Sequence, residues 1–99
     1  MGLWRITLVA ADRGALKGGA VRVPGRLKIV AVGRTSDAGG APWRRVILVE
    51  GDRADAEVVR AAFTAVEGVA GGVEPAPDGR YPTSDGGHVD VRGGRIEAG

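Results

Sequence analysis

Arg45-Val46-Ile47-Leu48-Val49, running through Glu50-Gly51 into Asp52-Arg53-Ala54-Asp55-Ala56-Glu57-Val58-Val59-Arg60-Ala61-Ala62-Phe63, is the stretch whose reading decides the fold. Its first part is β-branched and almost continuously apolar, the pattern of a strand at the centre of a sheet. Its second part changes period. Asp52 is placed to cap a helix, and Asp55 and Glu57 put negative charge where the helix dipole favours it. Val59, Phe63 and Val66 then fall on one stripe at helical spacing, with Ala62 beside them. Gly68 suits the left-handed conformation that ends a helix, so the spacing predicts a helix over 53–67, about 22 Å long.

Working outward, Leu3 to Ala10 alternates, with Trp4, Ile6 and Leu8 on one face and Arg5 and Thr7 on the other, as a half-buried strand does. Val21-Arg22-Val23 repeats the alternation, Pro24-Gly25 turns the chain, and Leu27 to Val32 reads as a further strand. At the far end, His88 to Val91 and Arg95-Ile96-Glu97 flank Gly93-Gly94, a two-residue hairpin signal. Between helix and hairpin, residues 68–87 hold nine Gly or Pro and read as a long irregular loop. The expectation is one α+β domain over residues 1–99: a single antiparallel sheet of five or six strands, with one amphipathic helix on one face.

Composition bounds the chemistry. The chain has 99 residues, 43% of them hydrophobic, and only two Trp, one Tyr and one Phe, so aliphatic side chains must fill its core. Cysteine is absent, which removes disulfides, thiolate nucleophiles and zinc–sulfur sites. No run approaches the ~20 apolar residues of a membrane-spanning helix, and Leu3 to Val9 enters a strand pattern at once, without the apolar run of a leader. A soluble, cytoplasmic protein of bacterial origin, with no cofactor and no membrane partner, is the expectation.

Asp52-Arg53-Ala54-Asp55-Ala56-Glu57, the helix pattern after it, and Gly68-Val69-Ala70-Gly71-Gly72 form a block similar to one in the bacterial domain of unknown function family 1326, which tends to read D-E-R-A-D-E-x, a helix, then G-x-x-G-G. Val21 to Leu27 resembles that family's strand and turn upstream, and Val89-Asp90-Val91 with Arg95-Ile96 its late hairpin. The cysteine-rich opening of longer members is missing. The resemblance implies a strand, helix, hairpin order and no particular activity.

Charge is the strongest functional signal. Residues 1–45 carry nine basic and two acidic side chains, and residues 46–99 carry five basic and ten acidic ones. Opposite charge on two parts of one surface favours docking on a second copy or on another protein. The sequence therefore points to a non-catalytic interaction or assembly module, with Arg22, Lys28, Arg44 and Arg45 as contacting cations and Asp55 and Glu57 on the acidic helix. Nonspecific nucleic-acid binding is the alternative, through a stripe of Arg5, Arg22, Lys28 and Arg45 with Trp4 and Trp43 as stacking surfaces. A metal-dependent or small-ligand enzyme is the third reading. It rests on Asp85, His88 and Asp90, with His88 and Asp90 on one strand face, short of the three or four supported ligands a metal needs. Ser36 and Ser84 lie outside any nucleophile motif. Gly14 to Gly19, with Lys17, has the composition of an anion nest but not P-loop spacing.

Overall fold

The computed structural model describes residues 2–16, 22–33, 35–36 and 42–97. Strand β1 (Gly2–Ala10) leads through a 3-10 turn (Arg13–Leu16) to β2 (Lys28–Val32) and β3 (Trp43–Gly51); helix α1 (Arg53–Thr64) follows, then β4 (Val69–Pro75), β5 (Gly79–Pro82), β6 (His88–Arg92) and β7 (Arg95–Ile96). The strands form two antiparallel sheets, one of four in the order β2-β3-β1-β4 and one of three in the order β5-β6-β7. The fold is α+β with one helix, as the periodicities predict, but the single sheet of five or six strands is replaced by two. The break falls after Ala76, whose amide still donates to the Leu3 carbonyl; Pro77, which cannot donate to a ladder, follows at once, and the chain turns from there into the second sheet.

β1 lies between β3 and β4, pairing Ile6 with Ile47 on one side and Val73 on the other. Residues directly opposite in such a ladder share a face, so two sets of side chains separate cleanly. Ile6, Leu8, Ile47 and Val49 point to the helix and pack with Ala56, Val59 and Phe63. Leu3, Ala31 and Leu48 point the other way and pack with Ala76, Tyr81 and Val91 of the second sheet. The molecule therefore has three layers, with the four-stranded sheet in the middle. A strand buried on both faces carries apolar residues without alternation, which is why Val46 to Val49 reads as an unbroken run.

Helix α1 begins where the sequence places it, with Asp52 extended at its cap position, although the cap is made by the Asp52 carbonyl and not by its side chain. It ends three residues earlier than the spacing predicts. Val66 falls in the turn after it and is 46% exposed, so Val59 and Phe63 carry the stripe without it. Gly68 has φ of +85°, the left-handed conformation expected there. The predicted loop over 68–87 contains β4 and β5. Their short, glycine-rich runs carry too few apolar side chains to show a period, and they are strands because β1 and β6 supply the partners.

Gly71 is needed for that pairing: a Cβ there would sit 2.7 Å from Leu8 Cδ2 and 2.9 Å from the Thr7 carbonyl. The Gly93-Gly94 hairpin forms as expected, with φ of +60° and +75°. Arg22 and Val23 are exposed and belong to no strand, and Val21 and Lys17 to Ala20 lie outside the described residues.

Candidate functional site

The two sheets meet tightly at one end and diverge at the other. At the closed end Leu3, Ala31 and Leu48 are buried beneath Tyr81 and Val91. Tyr81 is fixed there by its hydroxyl, which donates to the Pro77 carbonyl at 2.6 Å. Towards the open end the middle sheet presents Arg5, Val46 and Arg44 in successive positions on the same face, and β5 stands opposite with Tyr81, followed by Thr83 just after the strand. The space between is a cleft of about 430 Å³, within the range that small ligands or single side-chain groups occupy.

Its floor is apolar, from Ala31, Val46 and Leu48, and Arg5 and Arg44 border it from the middle sheet, whereas Arg80, next to inward-facing Tyr81, turns its side chain to the outer face of the second sheet. Arg5 is paired with Glu74 on the adjacent strand. Arg80 donates to Asp90 at 3.2 Å. Arg44 has neither an ion pair nor a side-chain hydrogen bond among the described residues, although its backbone is held by reciprocal bonds to Ser36 of 2.9 and 2.6 Å. Burial holds the Tyr81 phenol above its ordinary pKa, and the Arg5 guanidinium opposes that shift. At neutral pH the site thus contains a neutral hydroxyl, the Arg44 cation and the Glu74-paired Arg5 over an apolar floor. That is the chemistry of anion reception, with Arg44 as the group that has no side-chain partner among the described residues.

Of the cations singled out in the sequence, Arg22, Lys28 and Arg44 are exposed. Arg45 is not available to a partner. It lies on the helix side, where its guanidinium donates to the Leu16 carbonyl at 2.6 Å and the Gly33 carbonyl at 3.3 Å. The anticipated stripe of Arg5, Arg22, Lys28 and Arg45 therefore does not form, because residues 44 and 45 of one strand point to opposite faces.

On the acidic side, Asp55 is 7% exposed and lies 3.5 Å from Arg26, with its Oδ2 unpaired. Glu57 is bound to Arg60 one turn along the helix at 2.6 Å. Two of these pairs, Arg5 with Glu74 and Arg26 with Asp55, join the basic and acidic halves, so the two charge territories touch within one molecule. Trp4 and Trp43 are half-buried on the helix side, each covered by an arginine, Arg53 at 5.6 Å and Arg13 at 5.4 Å.

His88 and Asp90 share a strand face, with Nε2 3.6 Å from Oδ2. The Asp85 carboxylate is turned instead to its own tight turn, accepting from the Thr83 hydroxyl and the Gly87 amide. Those two bonds hold its pKa below the ordinary carboxylate value. Among the described residues no three His, Cys, Asp or Glu side chains gather as a metal would require. No described helix is long and apolar enough to cross a membrane.

No family model matches the chain, and neither a curated protein nor a solved structure is significantly similar to it. The cleft is therefore read from its own chemistry. Arg44 was legible in the sequence as a candidate. So was Arg5, as a cation of the alternative nucleic-acid stripe; Arg80, Tyr81 and Thr83 were not, because they reach the cleft from a strand far along the chain. The one available signal was the unbroken apolar run of β3, which requires a layer on each face and hence a second sheet opposite Arg44.

Proposed function

We propose that the chain is a non-catalytic interaction module that receives an anionic group of a protein partner, an acidic side chain or a terminal carboxylate, in the cleft between its two sheets. The observation that carries this reading is the Arg44 guanidinium, without a side-chain partner among the described residues, at the rim of an apolar-floored cleft. A carboxylate there gains a bidentate, charge-assisted pair without breaking an existing one. Arg5, by contrast, is already paired with Glu74, which leaves Arg44 as the cation an incoming carboxylate meets. Nucleic acid is the weaker candidate: the tryptophans that would stack bases lie on the opposite face of the sheet from Arg44 and already carry arginines.

The test is a titration of isotope-labelled protein at low salt, with an acidic peptide in one arm and a single-stranded oligonucleotide in the other. The expected result is amide shifts at Ser36, Arg44, Val46 and Thr83 with the peptide, lost in Arg44→Glu and at high salt. Shifts from the oligonucleotide alone, or peptide shifts that survive Arg44→Glu, would overturn the proposal.

A further inference from the structure

Among the described residues strand β4 is an edge of the four-stranded sheet and bonds only β1. The Ala76 amide donates to the Leu3 carbonyl at 3.0 Å, and this fixes the phase of the whole ladder. Residues 70, 72 and 74 direct their backbone groups to β1, so Gly71 and Val73 direct theirs outward. The Val69 amide is already taken by the Val66 carbonyl at 3.2 Å, and Pro75 has no amide hydrogen. The free donors of this edge are therefore the amides of Gly71 and Val73, symmetric about Gly72.

We infer that β4 is the seam of a two-fold dimer of this chain, formed by antiparallel pairing of two copies about Gly72. In that register Gly71 of each copy exchanges both backbone bonds with Val73 of the other, and every free donor finds an acceptor. Pro75 meets Val69, whose amide is already satisfied, so the missing proline hydrogen leaves nothing unpaired. Glu74 meets Ala70 and not a second Glu74, which avoids the like-charge pair that would oppose assembly. The two Gly72 residues face each other at the closest point of the ladder, where the absence of side chains lets the backbones meet.

The layer above fits as well. Thr64 Cγ2 would lie 3.5 Å from a Cβ at Gly71, so the helix flank carrying Glu57, Arg60 and Thr64 stands over β4. The two-fold axis sets that flank beside its antiparallel copy, with Thr64 of one chain nearest Arg60 of the other. An isologous interface of this kind closes on itself and does not propagate.

This inference does not depend on the cleft, and its test keeps the two separate. A Cβ at Gly72 meets nothing within 4 Å, so the monomer accommodates Gly72→Lys, whereas the dimer would oppose two lysines at its centre. Val73→Pro removes one outward donor that the monomer does not use. Sedimentation velocity of the full chain over a concentration series should show a monomer–dimer equilibrium. Either substitution should weaken it by about tenfold or more, and Arg44→Glu should leave it unchanged. Amide exchange at Gly71 and Val73 should slow as dimer forms. A wild-type chain that remains a 10.1 kDa monomer at its highest soluble concentration overturns the inference. So does a dimer indifferent to Gly72→Lys and Val73→Pro, or one abolished by Arg44→Glu.

Discussion

Arg44 and Arg45 are neighbours on one strand and carry the same side chain, yet the two faces of the middle sheet put them to opposite uses. On the helix face the packing is closed: Arg45 reaches across it to the carbonyls of Leu16 and Gly33 and becomes part of the structure. On the other face the second sheet covers only one end, and Arg44 is left at the rim of the opening with its charge uncommitted. A cation's role is thus set by how completely its face is covered. Counting basic residues along the chain treats these two as equivalent, and the fold does not.

The first way to break this comparison is to empty each core in turn. Phe63→Ala on the helix face should cost about 3–5 kcal/mol in urea denaturation, because the surrounding layer cannot collapse into the space. Leu48→Ala on the other face should sit at the low end for a buried leucine, about 2 kcal/mol, since its neighbours border an open cleft and can relax. Equal losses would mean that the two faces are equally well packed.

The arginines themselves give a sharper contrast. Arg45→Met should destabilise by about 1–3 kcal/mol, the cost of leaving half-buried carbonyls without a donor. Arg44→Met should change stability by no more than about 0.5 kcal/mol, as exposed substitutions do, while abolishing the peptide-induced shifts. A reversal of the two effects would remove the basis for assigning the cleft.

Two smaller effects probe the closed and exposed ends of the second sheet. Tyr81→Phe removes the hydroxyl bond to Pro77 and should cost about 1 kcal/mol. Tyr81 is the only tyrosine, so alkaline tyrosinate absorbance reports on it alone. Its folded pKa is raised, so its contribution to stability is complete below the unfolded tyrosine value of about 10 and is lost as pH rises through the folded value. Arg5→Met should move that titration further up, because the guanidinium that favours the phenolate is gone. Asp85 runs the other way. Its pKa is lowered, so its contribution is present above the unfolded aspartate value and fades as pH falls through the folded one, an effect that Thr83→Val should diminish in acid titration.

Local pattern was enough for the parts of the fold whose causes are local. The alternation of Leu3 to Ala10, the stripe of Val59 and Phe63, and the glycine pair at 93–94 each state a backbone conformation within a few residues. β4 and β5 escaped because a strand broken up by glycine and proline has no such statement to make. It exists through hydrogen bonds to partners elsewhere. The helix was overextended at Val66 for a related reason, since its hydrophobicity continues the stripe while the chain has already turned towards β4.

Sequence pattern and composition alone established an α+β chain with one helix after an apolar central strand, without cysteine chemistry and rich in arginine. The division of the strands between two sheets after Ala76, the inward turn of Asp55 and Arg45, and the meeting of Arg5 and Arg44 at one cleft were set by packing between distant segments. Secondary structure follows from side-chain period over a few residues. Charge availability depends on which face is covered and by what, and here those partners lie far apart along the chain, as the separation of 69 positions from Arg5 to Glu74 shows.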